Sequence, residues 1–305
     1  MKRQSRRHSA PRELDICQLI ESFGAESKCH AYLQTLRWPE GVKCPRCHSE
    51  KISRITTRDQ FDCDQCRYQF SVRVNTILHD SHLPLWKWFL AVYQMIQSRK
   101  GVSANQLKRT LGLSYKTAWY LCHRIRKAMA EMNAVKLGGT VEVDETWIGG
   151  KQRYVGSGNK DNKTMVLGAI ERGGRVRLRV EKRPTKKLLR KFIDENVGGW
   201  AKSIYTDQAP AYGDLADFDT KHETVDHSKE EWVRGDVHTN SIEGVWSLFK
   251  RSVIGSYHQV SAKHLDAYLD EFEWRFNNRK NPFLFRDTLL KLIESESLPY
   301  EKLTA

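Results

Sequence analysis

The stretch TVEVDETWIGG, residues 140–150, decides how the second half of the chain is interpreted. Its β-branched residues and its alternation of apolar and polar side chains predict a strand that ends at a pair of glycines. Two more strands are predicted around the Gly173-Gly174 turn, then a helix in TKKLLRKFIDENV, a strand in AKSIYTDQ, a short helix in PAYGDLADF and a weaker strand in KHETVDH. A mostly helical region follows from Ser241 to about Asn278. This order of elements predicts an α/β domain.

Acidic residues stand at the ends of these predicted elements. Asp144 ends the first strand, Asp207 ends the fourth, and Glu243 opens the long helix. Binding sites in open α/β sheets collect at strand ends, so the three carboxylates can converge on one pocket. Oxygen ligands of this kind suit Mg²⁺ or Mn²⁺, and two such ions about 4 Å apart can stabilise both the attacking and the leaving oxygen of a phosphodiester.

The segment DVHTNSIEGVWSLFKR, residues 236–251, predicts an amphipathic helix. Lys250 lies seven positions after Glu243, which brings both to nearly the same face together with Ser247. An acid at one end could hold metal, and the cation could contact DNA phosphate. The helix alone favours an ordinary solvated face, and Asp144 and Asp207 in matching places reverse that balance. The apolar stripe that would dock on the core comprises Ile242, Val245, Trp246 and Phe249.

Residues beside these positions have alternative interpretations. Along a strand, Glu145 would point away from the preceding aspartate, which favours a secondary role, although it could rotate into the site at the end of the strand. His238, in the loop before the long helix, binds phosphate, assists proton movement or makes a local hydrogen bond. Trp147 and Trp246 are predicted to be core residues. The arginines that either follow DNA or belong to a solvated edge strand are Arg175, Arg177 and Arg179.

Four of the seven cysteines form two close pairs. Paired C-x-x-C spacing in a cytosolic chain indicates metal rather than disulfides. Fifteen residues lie between the pairs, a length that suits a short hairpin bringing the two knuckles together. Four thiolates suit a tetrahedral Zn²⁺ with no open position, so the predicted zinc is structural. Its ligands would be Cys44, Cys47, Cys63 and Cys66.

The excess positive charge lies in the first part of the chain. The net charge is +14; residues 1–136 carry 24 Lys and Arg against 11 Asp and Glu, whereas residues 137–305 carry 27 against 26. A basic front ahead of a balanced domain is typical of nucleic-acid binding, although solubility alone could explain it. Nothing resembles a membrane span or a secretory signal, so we expect a cytoplasmic, nucleoid-associated protein without a membrane partner.

Residues 84–133 predict a helix-turn-helix, with a tight GLS turn before YKTAWYLCHRIRKAM and Ser114 as the cap of that second helix. No acidic residue lies between Asp80 and Glu131. A plain helical linker with a basic face is the alternative. Side chains near the start of the second helix would read base edges, and those further along would hold phosphates. They are Tyr115, Lys116 and Thr117, then Arg124, Arg126 and Lys127.

The segments VEVDETWIGGK, YTDQAPAY, VHTNSIEGVWSLFKR and YLDEFEWRFNNR resemble insertion-sequence transposases with a ribonuclease-H-like DDE domain, and more narrowly those with an N-terminal zinc ribbon. The resemblance spans about residues 13–290. The 35 residues between Asp207 and Glu243 match the spacing of the second and third acids in such enzymes. The resemblance implies Asp144, Asp207 and Glu243 as metal-binding catalytic acids, with Lys250 as a DNA contact.

Two residues are candidates for the third metal ligand. Some members of the family use an asparagine there, so Asn240 competes with Glu243. Asn240 could instead cap the long helix, which is the role that we favour from the sequence.

The resemblance predicts a transposase that binds the terminal inverted repeats of its element, cleaves DNA at the ends and joins the 3′-hydroxyl to target DNA, using two Mg²⁺ or Mn²⁺ ions. Its partner would be double-stranded DNA, and a homo-oligomer is expected because two ends are handled together. One alternative is a metal-dependent nuclease or recombination enzyme on the same core. Another is a zinc-ribbon DNA-binding regulator with an inactive catalytic domain.

The predicted organisation has five parts. They are a basic tail and helical lead-in (1–38), the zinc ribbon (39–76), the helix-turn-helix (84–133), the ribonuclease-H-like domain (138–290) and a C-terminal tail (291–305).

Overall fold

The computed structural model describes residues 14–131, 134–149, 163–182, 185–207, 221–225 and 236–305. It divides into two units. The first takes in the chain up to Ser98 together with Ala104–Met129 and Lys280–Ala305, and the second comprises Arg99–Ser103 and Ala130–Arg279.

Helices build most of the first unit. Numbered along the whole chain, they are α1 Ile16–Phe23, α2 Glu26–Arg37, α3 Leu85–Gln97, α4 Ala104–Leu111, α5 Tyr115–Met129, α9 Leu284–Glu294 and α10 Tyr300–Thr304. The boundary predicted at residue 290 is wrong, because α9 is part of this core. The ring of Phe285 lies 5.8 Å from that of Phe89 in α3, and Leu289 and Leu292 are buried.

A small three-stranded sheet completes the first unit. Its strands are β1 Ile52–Ile55, β2 Gln60–Cys63 and β3 Gln69–Phe70, all antiparallel in the order β1-β2-β3. Phe61 and Phe70 pack beside the cysteine pairs in one apolar cluster. The predicted hairpin between the two pairs is confirmed.

The second unit is built on a five-stranded sheet. Its elements in chain order are β4 Leu137–Ile148, β5 Thr164–Glu171, β6 Val176–Glu181, α6 Lys186–Asn196, β7 Val197–Asp207, β8 Lys221–Val225, α7 Asn240–Ser252 and α8 Leu265–Asn277. The strand order is β6-β5-β4-β7-β8, with β5 antiparallel to its neighbours and β7 parallel to β4 and to β8. This is the ribonuclease-H-like arrangement that the resemblance implied. The short helix predicted in PAYGDLADF lies outside the described residues.

The two faces of the sheet carry different cores. Alternation along β4 directs Val141 and Val143 to the face covered by α6, where they share a cluster with Leu189 and Phe192. On the other face Ile148 packs with the apolar side of α7 and with α8. The intervening residues of β4 therefore face α7, and the predicted acid at position 144 is one of them.

The edge strand β6 is closed by α8. Side-chain oxygens of Asn277, Glu273 and Asp266 accept from the backbone amides of alternate residues of β6, at 2.8, 2.9 and 3.3 Å. Arg177 is buried and donates to Glu273 at 2.7 Å. Arg179 pairs with glutamates at positions 181 and 195. These pairings contradict both interpretations for Arg177 and Arg179, whereas Arg175 is exposed and its role stays a prediction.

A five-residue π-helix, Val253–Tyr257, continues from α7. Among the helices of the described residues, none combines the length and the apolar character that a membrane span requires.

Candidate active site

The four cysteines converge as predicted. Their sulfur atoms all lie within 4.8 Å of one another, with Cys44 and Cys66 at 3.7 Å and Cys47 and Cys63 at 3.5 Å. A tetrahedral Zn²⁺ with Zn–S bonds of about 2.3 Å would separate its ligands by about 3.8 Å. The cluster therefore has the dimensions of a structural zinc site.

The start of α5 offers polar side chains to solvent. Ser114 caps the helix, since its hydroxyl accepts from the amide of Thr117 at 3.1 Å. Tyr115 and Lys116 are exposed, and Lys127 is exposed in the last turn. The ammonium of Lys116 lies 4.4 Å from the ring centre of Tyr300 in α10. These positions remain candidates for DNA contact.

The predicted phosphate contacts at Arg124 and Arg126 are contradicted. Arg124 exposes only 3% of its surface; its guanidinium lies 5.0 Å from the ring centre of Trp88 and donates to the carbonyl of His79. Arg126 exposes 1%. A helix that carries basic residues on its inner face cannot offer them to DNA without repacking the core, so both arginines support the fold.

Asp144 is held at the centre of the second unit. It pairs across β4 and β5 with Gly168, and the indole of Trp246 occupies the space above that glycine. The indole Nε1 donates to Oδ2 of Asp144 at 2.9 Å. A side chain at position 168 would collide with the indole, since a Cβ there would lie 2.4 Å from its Cη2 atom. Trp246 is thus the core residue that the sequence predicted.

Burial raises the pKa of Asp144 to about 7. The hydrogen bond from Trp246 opposes this shift, and the negative charges of Glu145 and Asp207 add to it. Because a buried carboxylate resists ionisation, a bound cation would stabilise its charged form.

Asp207 lies at the end of β7, in the strand parallel to β4. The register pairs Glu142 with Tyr205, so Asp144 and Asp207 each stand two residues further along neighbouring parallel strands. They emerge at the same end of the sheet and are close enough to repel electrostatically.

Helix α7 presents a polar face alongside its buried one. Asn240, Glu243, Ser247 and Lys250 are all exposed and share one side of the helix, which we call the α7 polar face. The hydroxyl of Thr239 donates to Oε1 of Glu243 at 3.3 Å. Within the described part of the chain, the four cysteines bring their ligand atoms together as a possible metal site, and Asp144, Asp207 and Glu243 do not form such a group.

The prediction that Asn240 caps α7 is wrong. Asn240 is the first residue of the helix, and the first-turn amides of Ser241 and Ile242 donate instead to Oε2 of Glu142, at 2.8 and 3.0 Å. Sequence reasoning missed Glu142. The signal was the two-residue period of β4, which places it on the same face as the aspartate at 144, where a charged residue needs partners.

His238 makes the local contacts that were one of its interpretations. Its Nδ1 lies 3.4 Å from Oε1 of Glu142 and accepts from the amide of Asn240 at 3.4 Å. Trp147, by contrast, was predicted to be a core residue and is 42% exposed. Its neighbours Thr146 and Ile148 are buried, whereas exposure increases along the opposite face of β4 from Val143 through Glu145 to Trp147.

Known family profiles match part of each unit. The profile of the ISXO2-like transposase domain matches residues 136–277, and that of the transposase zinc-ribbon domain matches residues 24–69. A protein of Halobacterium salinarum described as "Uncharacterized protein in transposable element ISH50" is 30% identical over 278 residues, which cover 84% of this chain and 92% of that protein.

Solved structures give weaker likenesses. The Mos1 strand transfer complex is 15% identical over 68% of this chain and 75% of that chain, with a TM-score of 0.29. The Mos1 mariner paired end complex with Mn has the same identity and coverage and a TM-score of 0.28. A chain of the simian T-cell lymphotropic virus intasome is 16% identical; the match covers 40% of this chain and 48% of the intasome chain, with a TM-score of 0.22. The strand order β6-β5-β4-β7-β8 is itself that of the ribonuclease-H-like fold. Taken with the family profiles and the relative from ISH50, the zinc ribbon and the ribonuclease-H-like sheet show that this chain belongs to the insertion-sequence DDE transposases with an N-terminal zinc ribbon.

Proposed function

We propose that this transposase binds the terminal inverted repeats of its element, hydrolyses the phosphodiester at each end and joins the freed 3′-hydroxyl to target DNA. The observation that carries the proposal is the placement of Asp144 and Asp207 at the same end of two neighbouring parallel strands. Two carboxylates that repel each other there gain from a shared divalent cation, which supports a metal-dependent reaction.

Asp144, Asp207 and Glu243 would hold two Mg²⁺ or Mn²⁺ ions. When bound, such ions activate the attacking oxygen and stabilise the leaving oxygen of a phosphodiester. The carboxylate of Glu243 is exposed in the first turn of α7, and its Oε1 accepts from the hydroxyl of Thr239. Asn240 keeps its place as the competing third ligand, and its exposed amide is not engaged in capping α7.

The remaining proposed contacts are to DNA. Lys250 would meet a phosphate at the far end of the α7 polar face. In the first unit, Tyr115, Lys116, Thr117 and Lys127 would contact the element end, with the zinc ribbon as a second binding module. His238 would support the site through its local hydrogen bonds. A dimer or a larger assembly would hold the two ends together.

The test uses the full chain with Mg²⁺ and DNA that carries an element end. Asp207→Asn should abolish cleavage, because it removes one charge from the paired strand ends. The matched control is Asp194→Asn, at an exposed aspartate of α6 on the other face of the sheet. Undiminished cleavage by Asp207→Asn would refute the proposal. A second assay with pre-cut ends measures joining, and cleavage without joining would identify a nuclease instead.

The two candidates for third ligand are separated by variants. Glu243→Gln and Asn240→Ala should differ in the concentration of Mn²⁺ that supports half-maximal cleavage. The larger increase identifies the ligand, and Ser247→Ala on the same face is the control.

A further inference from the structure

Glu142 is a completely buried carboxylate inside the second unit. Burying a charge is costly unless it is paired and hydrogen-bonded. The carboxylate of Glu142 accepts four hydrogen bonds, which offset that cost. Oε2 accepts from the amides of Ser241 and Ile242, and Oε1 accepts from the Ser241 hydroxyl at 2.9 Å and from Nε of Arg172 at 2.7 Å.

These bonds make Glu142 the cap of α7. The first amides of a helix have no acceptor within the helix, and a negative charge there also interacts favourably with the helix dipole. Most helices take such a cap from the residue just before them, but here it comes from a strand about a hundred residues earlier. The start of α7 is therefore tied to β4 at hydrogen-bond distance.

Arg172 extends the same connection to the preceding loop. It follows β5, and besides Glu142 it donates to the carbonyls of Asp236 at 2.8 Å and His238 at 3.0 Å. Its guanidinium also lies 4.8 Å from the ring centre of Tyr205 in β7. One forked side chain thus contacts the loop that leads to α7 and the strand that carries the second proposed acid.

The contacts of this pair lie close in sequence to all three proposed metal ligands. Glu142 stands two residues before Asp144, and Tyr205 stands two residues before Asp207. The capped amide of Ile242 belongs to the residue before Glu243. A rotation of α7 about its start would move the third acid relative to the other two, and the Glu142–Arg172 pair opposes that rotation.

We propose that Glu142 and Arg172 are positioning residues, which set the distance between the acid on α7 and the two aspartates on the sheet and thereby set the affinity of the site for divalent cations. This inference rests on the proposed function. Neither residue needs to touch the ions or the DNA.

The experiment measures Mn²⁺ binding by the zinc-loaded full chain with electron paramagnetic resonance, and no catalytic turnover is required. Glu142→Gln keeps the size of the side chain but replaces one of its two oxygens with an NH₂ group. That group is itself a donor, and it would face the donors that the oxygen accepted from. Glu273→Gln is the matched control. It alters a part-buried carboxylate that pairs with Arg177 and accepts the backbone amide of Leu178 at the β6 edge of the sheet.

We expect Glu142→Gln to weaken Mn²⁺ binding about tenfold or more, the usual loss when a residue that orients a metal ligand is changed. The Mn²⁺ affinity of Glu273→Gln should stay within about twofold of the wild-type value, even if its melting temperature falls as much as that of Glu142→Gln. Equal weakening in both variants, or wild-type binding by a folded Glu142→Gln protein, would overturn the inference. If Glu142→Gln does not fold, Arg172→Lys replaces it, because it keeps the positive charge but loses the fork to the loop carbonyls; unchanged Mn²⁺ binding by that variant also overturns the inference.

Asp207→Asn separates the inference from the function on which it rests. Loss of Mn²⁺ binding in Asp207→Asn with retention in Glu142→Gln refutes only the positioning role. Retention in Asp207→Asn refutes the metal site itself, and with it the positioning role.

Discussion

Replacing Trp246 with phenylalanine should shift the pH dependence of metal binding. The substitution removes the indole N–H that donates to Oδ2 of Asp144 at 2.9 Å. Burial already raises the pKa of Asp144 to about 7, and this bond is the largest influence that opposes the rise. A hydrogen bond to a charged group is worth about 1.5–3 kcal/mol, so its loss should raise the proton affinity of Asp144 about tenfold to a hundredfold.

The sign of the effect follows from competition between proton and cation. Only the ionised carboxylate binds the ion, so below pH 7 the apparent affinity of the wild type for Mn²⁺ should fall about tenfold per pH unit. With the pKa of Asp144 raised further, Trp246→Phe should bind Mn²⁺ about tenfold more weakly at pH 7. The difference should shrink to about twofold or less by pH 9, where the carboxyl is ionised in the wild type and at least half ionised in the variant.

The assay is a series of Mn²⁺ titrations between about pH 6 and pH 9. The control is Phe249→Leu, which removes a buried aromatic ring from the same helix and the same core cluster. It should lower stability without moving the pH profile, because no described contact joins Phe249 to Asp144. Profiles of Trp246→Phe and the wild type that superimpose would refute the role given to the indole, and so would an equal shift in Phe249→Leu.

Four further outcomes are expected. Gly168→Ala should destabilise the chain by about 1–3 kcal/mol in thermal unfolding, because its Cβ would lie 2.4 Å from the indole above it. Gly244→Ala should raise stability by up to about 1 kcal/mol, since open space surrounds that position within α7; if DNA runs along the α7 polar face, the same variant should bind end DNA more weakly in gel-shift titrations. Lys250→Ala should lower the salt slope of DNA binding by about 1, whereas Arg124→Gln, at a buried site, should lower the melting temperature and leave that slope unchanged. Cys63→Ser should lower the zinc content measured by atomic absorption and the melting temperature of the first unit, and a variant that retains both would contradict the zinc site.

The sequence predicts those parts of the fold that depend on local periodicity. Alternation in β4 identifies the strand, and the seven-residue interval from Glu243 to Lys250 identifies the exposed side of α7. The two C-x-x-C pairs predict the cluster because each pair is a local motif and the hairpin between them is short. In each of these cases neighbours in sequence carry the information.

Failures occur where a distant partner decides the role of a residue. Arg124 belongs to a basic helix, and periodicity does not reveal that Trp88 lies beneath its guanidinium. Phe285 follows a segment that resembles the catalytic domain, yet it packs with Phe89, almost two hundred residues earlier. Asn240 has the residue type and the position of a helix cap, but the side chain that caps α7 is Glu142, which lies on strand β4. A single sequence carries no signal for such pairings.

The three proposed acids differ in what determines their positions, and this difference predicts where the site is adjustable. Asp144 and Asp207 are placed by the register of two hydrogen-bonded parallel strands, which cannot slip by one residue without turning every side chain to the opposite face. Glu243 is exposed on a helix, and its position depends on the cap at Glu142 and on the indole bond to Asp144. Changes in metal preference should therefore arise more readily from substitutions around α7 than from substitutions in the strands. Within α7, we expect those that disturb its first turn to act most strongly, because Glu243 lies in that turn and moves with it.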